Sequence, residues 1–198
     1  DFIQDSARVL IKDDRFIHIL RVLNPKVGQS LKVGLLGGSC GYGIVESINS
    51  KEVMLNVVLN KLAPHRHPFD IVLALPRPKM LRRILRTIAE YGVDNLHLIN
   101  SARVEKSFWQ SPLLQPEKIH DALMAGMERS KDTIMTNVLL HQRFRPFIED
   151  KLPGICGDRD CWLTDMNATR SAVDIDISSK PSVVMIGPEG GFVPFETE

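Results

Sequence analysis

The pattern of apolar and polar residues changes character near residue 63. Before that point, short segments alternate apolar and polar residues with a period of two, as half-buried β-strands do. One segment of helical period runs from Asp13 to Leu23, with an aspartate N-cap signal at its start. The strand-like segments begin at Arg8, Ser30, Gly43 and Glu52. Strands that close around one helix predict a small β-barrel over residues 1–63.

The remainder of the chain alternates apolar strands with amphipathic helices. A polar segment with two prolines, residues 64–68, predicts a linker between the two parts. After it, strands are predicted at residues 69–75, 95–99, 137–141, 160–164 and 182–187. Helices are predicted at residues 79–91 and 116–132. Such alternation predicts an α/β domain with a largely parallel sheet over residues 69–198.

One predicted helix carries a concentrated group of positive charges. The formal net charge of the chain is only +1, which argues against a protein that coats nucleic acid through its bulk charge. Residues 77–86, however, contain five basic residues and no acid. On a helix, the apolar stripe of Leu81, Ile84, Leu85 and Ile88 lies opposite four cations, Lys79, Arg82, Arg83 and Arg86. Solvated helix faces usually mix charge signs, so we favour a phosphate-binding face over the alternative of a merely solvated one.

A glycine-rich turn follows the last predicted strand. Residues 186–191 read Ile-Gly-Pro-Glu-Gly-Gly, and a helix start follows them. Proline fixes φ and the paired glycines admit conformations closed to other residues, which favours a rigid loop that contacts a flat ligand. The string matches neither the dinucleotide fingerprint nor the Walker A pattern. For Glu189 within it, capping of the helix, alignment of a substrate and acceptance of a proton all remain open.

The histidines and cysteines form no metal-binding or nucleophile motif. His97 lies inside an apolar strand and is predicted to be a core residue. Cys156 and Cys161 are five residues apart without a nearby histidine, which predicts buried or idle thiols rather than zinc ligands. A reduced cytoplasmic setting fits these thiols. The sequence shows neither a signal peptide nor an apolar run of about 20 residues that would span a bilayer.

The string from Val184 to Phe192 resembles the cofactor loop of the 16S rRNA (uracil-1498-N3)-methyltransferase family, a branch of the SPOUT (trefoil-knot) methyltransferases. The resemblance continues in order along the chain, at residues 16–23, 26–28, 89–93, 101–107 and 127–130. The chain departs from the family at Pro78, where the family often has glycine. It departs again at Lys131 and Asp132, where the family has glycine and arginine.

The resemblance implies a PUA-like β-barrel that binds RNA at residues 1–63 and a SPOUT methyltransferase domain at residues 69–198. It implies S-adenosylmethionine as the cofactor, N3 of a uridine in the 16S rRNA of the 30S ribosomal subunit as the methyl acceptor, and a homodimer formed through the knot. The family continues past the glycine loop into the segment that forms the knot, so we expect this chain to be truncated at both ends and to lack that segment. The alternative is a catalytically silent RNA-binding or ribosome assembly factor of the same fold.

The resemblance also assigns candidate site residues. The cofactor would contact Leu163, Thr164, Asp165, Ile186, Gly187, Pro188, Glu189, Gly190 and Gly191. RNA would contact His18, Arg21, Arg77, Lys79, Arg82, Arg83, Arg86, Arg103 and Arg129, the last two only if their loops lie at the same sheet edge as the basic helix. Methylation of uracil N3 requires loss of a proton, yet the sequence nominates no catalytic base and no metal ligand. Arginine side chains near the target would stabilise the anion instead.

Overall fold

A computed structural model describes residues 7–66, 69–174 and 180–198 of the chain. The chain divides into two compact units, Asp1–Pro64 and His65–Glu198. The boundary falls inside the predicted linker, and His67 and Pro68 of that linker lie outside the described residues.

The first unit is an antiparallel sheet with one short helical segment. Its elements are β1 (Arg8–Ile11), α1 (Asp14–His18), a π-helical turn (Ile19–Leu23), β2 (Ser30–Gly34), β3 (Cys40–Ile48) and β4 (Val53–Lys61). The Asp13 side chain caps α1 by accepting from the Arg15 amide at 3.0 Å, as predicted. The strand order is β1-β4-β3-β2. Within residues 7–66 the edge strands β1 and β2 do not pair with each other, so a closed PUA-like barrel stays a prediction.

The second unit is a five-stranded parallel sheet with helices, as the sequence predicts. Its main elements are β5 (Phe69–Ala74), α2 (Pro78–Glu90), β6 (Asn95–Ile99), α3 (Pro116–Ser130), β7 (Asn137–His141), β8 (Asp160–Leu163), β9 (Ser182–Ile186) and, near the end, the single turn Pro194–Thr197. Between β7 and β8 lie α4 (Phe144–Pro146), a π-helical turn (Phe147–Lys151) and α5 (Leu152–Cys156), which the sequence analysis did not predict. The strand order is β7-β6-β5-β9-β8, and every pair is parallel.

The core of this unit lies between the sheet and the apolar stripe of α2. Leu81, Leu85 and Ile88 are at most 5% exposed, and Ile84 is half-buried against the same core, which confirms the predicted orientation of the helix. The packing of α2 against α3 depends on Gly126, where a Cβ atom would lie 2.3 Å from the carbonyl oxygen of Arg86. The two helices therefore approach with their backbones nearly in contact, and only glycine at position 126 permits this approach.

Two arginines anchor the amino-terminal end of the parallel sheet. Arg66, inside the predicted linker, pairs with Asp94 at 2.6 Å and with Asp132 at 3.1 Å. Arg159 pairs with the buried Asp70 at 2.7 Å, and Asp70 also accepts from the side-chain amide Nδ2 of Asn95 at 2.9 Å. Buried charges that are paired and hydrogen-bonded in this way hold the strand starts together.

The same end of the sheet explains one departure from the family. Lys131 follows α3 with a left-handed φ of 60°, the helix-ending conformation in which glycine is usual. The next residue, Asp132, is 6% exposed at its side chain and binds Arg66. Lys131 and Asp132 thus have structural roles in this chain, where the family carries glycine and arginine.

The prediction of two buried or idle thiols was wrong for Cys156 and Cys161. They form a disulfide between the end of α5 and β8, with their Cα atoms 6.3 Å apart. Gly157, at a left-handed φ of 51°, ends α5, and the Arg159 amide donates to the Cys156 carbonyl at 2.8 Å. This turn brings the two cysteines side by side. The spacing along the sequence alone carries no such signal.

Candidate functional site

The candidate site lies at the carboxyl-terminal end of the parallel sheet. The chain runs outward from β5 to β6 and β7 on one side, while β9 and β8 lie on the other side. In open α/β sheets, ligands bind in the crevice where the strand order reverses in this way. Here that point lies between β5 and β9, and the glycine-rich loop follows directly after β9.

The backbone of the glycine-rich loop is held in a tight turn. The Gly191 amide donates to the Pro188 carbonyl at 2.8 Å, and Gly191 has a φ of 73° that favours glycine. At Gly187 a Cβ atom would lie 3.0 Å from the Phe192 ring, so the ring folds back over the start of the loop. The amides of Glu189 and Gly190 have no acceptor among the described residues. The loop therefore presents unpaired donors at an exposed position.

The loop after β8 lies beside the glycine-rich loop. The Thr164 amide and hydroxyl donate to the Met185 carbonyl of β9, at 2.9 and 3.1 Å. Asp165 closes a turn by accepting from the Asn167 amide at 2.6 Å. Leu163, at the end of β8, remains 39% exposed. The structure thus brings the two predicted groups of cofactor residues to one place.

Two arginines contact the glycine-rich loop from neighbouring strands. Arg77, just after β5, pairs with Glu189 at 2.7 Å, and both side chains are more than half exposed. Arg103, after β6, donates to the carbonyls of Gly190 and Gly191. Arg77 and Arg103 therefore lie at the same sheet edge, which meets the condition set for Arg103. Glu189 is engaged by Arg77 and does not cap the following helical turn.

The helical turn is capped by Glu196, which the sequence analysis missed. Its carboxylate accepts from the Val193 amide at 3.0 Å, the Ser101 hydroxyl at 3.0 Å and the Ala102 amide at 2.7 Å. One side chain thus joins the end of the glycine-rich loop to the loop after β6. A glutamate three residues after an N-cap is half of a capping box, but valine at the N-cap conceals the usual Ser/Thr signal.

The basic face of α2 is exposed, as predicted. Pro78, a departure from the family, occupies the first position of the helix, where its fixed φ is favourable. No carboxylate of the described residues pairs with the four cations of this face, Lys79, Arg82, Arg83 and Arg86.

Arg129 does not extend this basic face. It pairs at 3.2 Å with Glu90, the last residue of α2, near the amino-terminal end of the sheet. β6 starts only a few residues after Glu90, so this pair lies at the amino-terminal end of the sheet, whereas the glycine-rich loop lies at the carboxyl-terminal end. His18 and Arg21, the predicted RNA contacts of the first unit, are both exposed.

Arg143 is an exposed arginine that the sequence analysis overlooked. It follows β7, and the next residue, Phe144, places its ring 6.2 Å from the ring of Phe192. Each of three adjacent strands, β7, β6 and β5, is therefore followed by an arginine at the same end of the sheet. The signal lies in the topology, since the three residues are far apart in sequence.

Two histidines are paired on neighbouring strands, His97 buried inside β6 and His141 half-buried at the end of β7. His97 is 5% exposed, and its Nδ1 lies 3.1 Å from Nε2 of His141. Burial lowers the pKa of both imidazoles, and the neighbouring His141 lowers that of His97 further. The prediction of a core histidine is confirmed. Among residues 7–66, 69–174 and 180–198 no cluster of His, Cys, Asp or Glu is arranged to hold a metal, and no helix has the length and apolar character to cross a bilayer.

Comparison with known proteins agrees with this arrangement. The profile of the RNA methyltransferase domain matches residues 63–198. The ribosomal RNA small subunit methyltransferase E of Treponema pallidum is 30% identical over 202 residues, which cover 99% of this chain and 75% of the relative. The corresponding E 1 protein of Borreliella burgdorferi is 22% identical and is covered over 82% of its length.

Solved structures share the fold at lower identity. The ribosomal RNA small subunit methyltransferase E of Neisseria gonorrhoeae, solved bound to S-adenosyl methionine, superposes with a TM-score of 0.71 at 16% identity, covering 100% of this chain and 80% of that one. A probable rRNA-methyltransferase from Porphyromonas gingivalis gives 0.68 at 22% identity, covering 98% and 80%. On the profile match and the Treponema relative, this chain belongs to the RNA methyltransferase family and, within it, to the ribosomal RNA small subunit methyltransferases E.

Proposed function

We propose that this protein transfers a methyl group from S-adenosylmethionine to N3 of a uridine in the 16S rRNA of the small ribosomal subunit. The observation that carries the proposal is the glycine-rich loop at the switch point of the sheet, with its unpaired amides beside two arginines. Family membership supplies the reaction class. The choice of uridine N3 rests on the sequence resemblance.

The residues present fit the cofactor. The amides of Glu189 and Gly190 offer hydrogen-bond donors, and the exposed Leu163 side chain offers an apolar surface to an adenine ring. The contacts would come from Leu163, Thr164, Asp165, Ile186, Gly187, Pro188, Glu189, Gly190 and Gly191. When bound, S-adenosylmethionine supplies an electrophilic methyl group on a sulfonium centre. The protein's contribution is to hold the acceptor base in line with that group.

The acceptor nitrogen has to lose its proton before or during transfer. Arg77 and Arg103 place two positive charges at the edge of the glycine-rich loop. A cation fixed near the base favours its anionic form, so these arginines would favour loss of the N3 proton to solvent water without acting as bases themselves. Glu189, paired with Arg77, keeps that guanidinium directed at the loop.

The rRNA backbone would lie along the basic side chains. The face of α2 and Arg143 provide cations without a carboxylate partner in the described part of the chain. Folded RNA is recognised largely through its shape and its phosphates, which suits an exposed row of arginines and lysines. His18 and Arg21 would add contacts from the first unit. We further expect a homodimer, which light scattering on the purified protein would test. A cytoplasmic location is expected from the proposed rRNA substrate, because the disulfide of Cys156 and Cys161 removes the free thiols on which the sequence argument rested.

The test is the appearance of N3-methyluridine in 16S rRNA. The protein, expressed in a strain that lacks this modification, should restore it, as detected by mass spectrometry of digested rRNA. The double variant Arg77→Ala/Arg103→Ala should not restore the modification. The control variant Arg129→Ala should restore it, because it removes a cation at the other end of the sheet. If the wild-type protein restores nothing and gives no heat with S-adenosylmethionine in calorimetry, it is a silent RNA-binding factor instead.

A further inference from the structure

The outer face of the first unit's sheet carries an exposed tyrosine between two lysines. Tyr42 in β3 is 39% exposed and lies directly opposite Lys32 of β2 and Val58 of β4 in the strand register. Ile44, the next residue of β3 on the same face, is 41% exposed, and Val58 is 55% exposed. The face thus has a ring at its centre and aliphatic side chains beside it.

The glycines around Tyr42 fix its orientation. Gly41 and Gly43 are buried, and a Cβ atom at Gly41 would lie 1.9 Å from the Val58 carbonyl oxygen. At Gly43 it would lie 3.2 Å from both Leu55 and Val33. Because successive residues of a strand point to opposite faces, Tyr42 has to point outward. A shift of register by one residue would force the large ring into a space that admits only glycine.

The charges next to the ring are positive and lack acidic partners. Lys61 donates from Nζ to the Tyr42 hydroxyl at 2.9 Å, and its Nζ is 5.1 Å from the ring centroid. Lys61 therefore lies at the hydroxyl end of the ring rather than over its centre. This hydrogen bond, with a smaller contribution from Lys32, lowers the pKa of the Tyr42 phenol. Within residues 7–66 no carboxylate pairs with Lys32 or Lys61.

We propose that this face, formed by Lys32, Tyr42, Ile44, Val58 and Lys61, binds a single-stranded segment of RNA. One base stacks on the Tyr42 ring, and the two lysines contact the flanking phosphates. An exposed aromatic ring on a sheet, bordered by unpaired cations, is the combination that recognises unpaired nucleotides. An apolar protein partner would instead leave two lysine charges without neutralisation at the contact. The proposal rests on rRNA as the substrate of the proposed function, and it adds a contact on the first unit.

The test compares variants of the two tyrosines of the chain, Tyr42 and Tyr91. Affinity for a fluorescently labelled single-stranded uridine decamer is measured by anisotropy at about 0.1 M salt. Tyr42→Ala should weaken binding roughly five- to 150-fold, the range found for loss of one stacked base. Tyr42→Phe should bind nearly as well as the wild type because it keeps the ring. Tyr91→Ala, which removes an exposed tyrosine after α2, should have no effect.

The lysines are tested by the salt dependence of binding. Lys32→Ala should reduce the slope of log K against log salt by about 0.7, the value for one phosphate contact in a single strand. Equal affinity of wild type and Tyr42→Ala, at unchanged thermal unfolding midpoints, would overturn the proposal while leaving methyl transfer intact. Binding of a duplex RNA that is equally sensitive to Tyr42→Ala would also contradict it. Failure of the wild type to bind any RNA would count against the proposed function as well.

Discussion

The two ends of the parallel sheet use the same residue types for opposite purposes. At the amino-terminal end, Arg66 is 12% exposed and Arg159 28% exposed at the side chain, and their partners Asp132 and Asp70 are at most 6% exposed. At the carboxyl-terminal end, the pair of Arg77 and Glu189 is 65% and 55% exposed. One end is closed by ion pairs, and the other presents its charges to solvent.

The difference shows how burial decides what an arginine does. A buried guanidinium needs a fixed carboxylate partner, so the buried ion pairs hold the starts of the strands together. An exposed pair contributes little to stability, because water and salt screen it. The exposed arginines are thus available to bind a polyanion at little cost in stability. Substitutions at the two ends should therefore separate stability from binding.

The largest effect is expected from Asp70→Ala at the closed end. It leaves Arg159 without its carboxylate and the side-chain amide of Asn95 without its acceptor. Removing one partner of a buried pair should lower the free energy of unfolding by about 3 kcal/mol. Urea denaturation followed by circular dichroism measures this. The control is Glu149→Ala, which breaks the exposed pair with Arg145 and should leave the midpoint unchanged.

The second effect concerns RNA affinity at the open end. Arg82→Ala/Arg83→Ala should reduce rRNA affinity roughly 25-fold at about 0.1 M salt, because each lost phosphate contact removes about 0.7 to 0.9 from the salt slope. Filter binding at several salt concentrations measures both the loss of affinity and the change in the salt slope. Arg129→Ala is the matched control, because it removes one cation at the other end of the sheet. If it weakens rRNA binding as much as the single variant Arg82→Ala does, then binding does not depend on which end of the sheet carries the cation.

A tenfold weakening of S-adenosylmethionine binding is expected from Glu196→Ala. Three donors from two loops lose their common acceptor, and hydrogen bonds to a charged group are worth about 1.5–3 kcal/mol each before the loops readjust. Calorimetry measures the dissociation constant. Glu196→Gln, which keeps one acceptor oxygen, should recover part of the affinity, and Glu198→Gln should bind as the wild type does. Normal binding by Glu196→Ala would mean that the carboxylate only caps the helical turn.

The smallest effect is a pH dependence from the paired histidines His97 and His141. Burial holds the pKa values of His97 and His141 below the ordinary value of 6.5. As the pH falls through about 6.5, the two imidazoles bind protons in the unfolded chain but stay neutral in the folded protein. The free energy of unfolding therefore decreases. The urea midpoint should therefore be lower at pH 5.5 than at pH 7.5. In His97→Asn/His141→Asn this dependence should be smaller, and an equal slope would exclude these imidazoles as its source.

The sequence predicted the elements of both units because periodicity is a local property. The strand at residues 95–99 and the buried face of α2 were found as predicted, since apolar spacing reports burial directly. The glycine-rich loop was recognisable from its string. Helical segments between β7 and β8 were missed because they are short and interrupted by prolines.

Contacts between distant segments were beyond the reach of the pattern. Arg129 lies at the wrong end of the sheet for the basic face, although it shares its residue type with Arg103. The disulfide of Cys156 and Cys161 depends on a turn at Gly157 that the spacing does not indicate. The role of Glu196 depends on the approach of a loop nearly a hundred residues earlier in the chain.

By itself, then, the sequence determined the α/β class, the outward side of the basic helix and the loop that carries the family resemblance. Each of these depends on the order of residues within one short segment. The tertiary structure decided which charges are buried and which are free, and which loops meet at the open end of the sheet. The physical reason is that strand order sets the neighbours of every loop. A charge acts through the groups around it in space rather than along the chain.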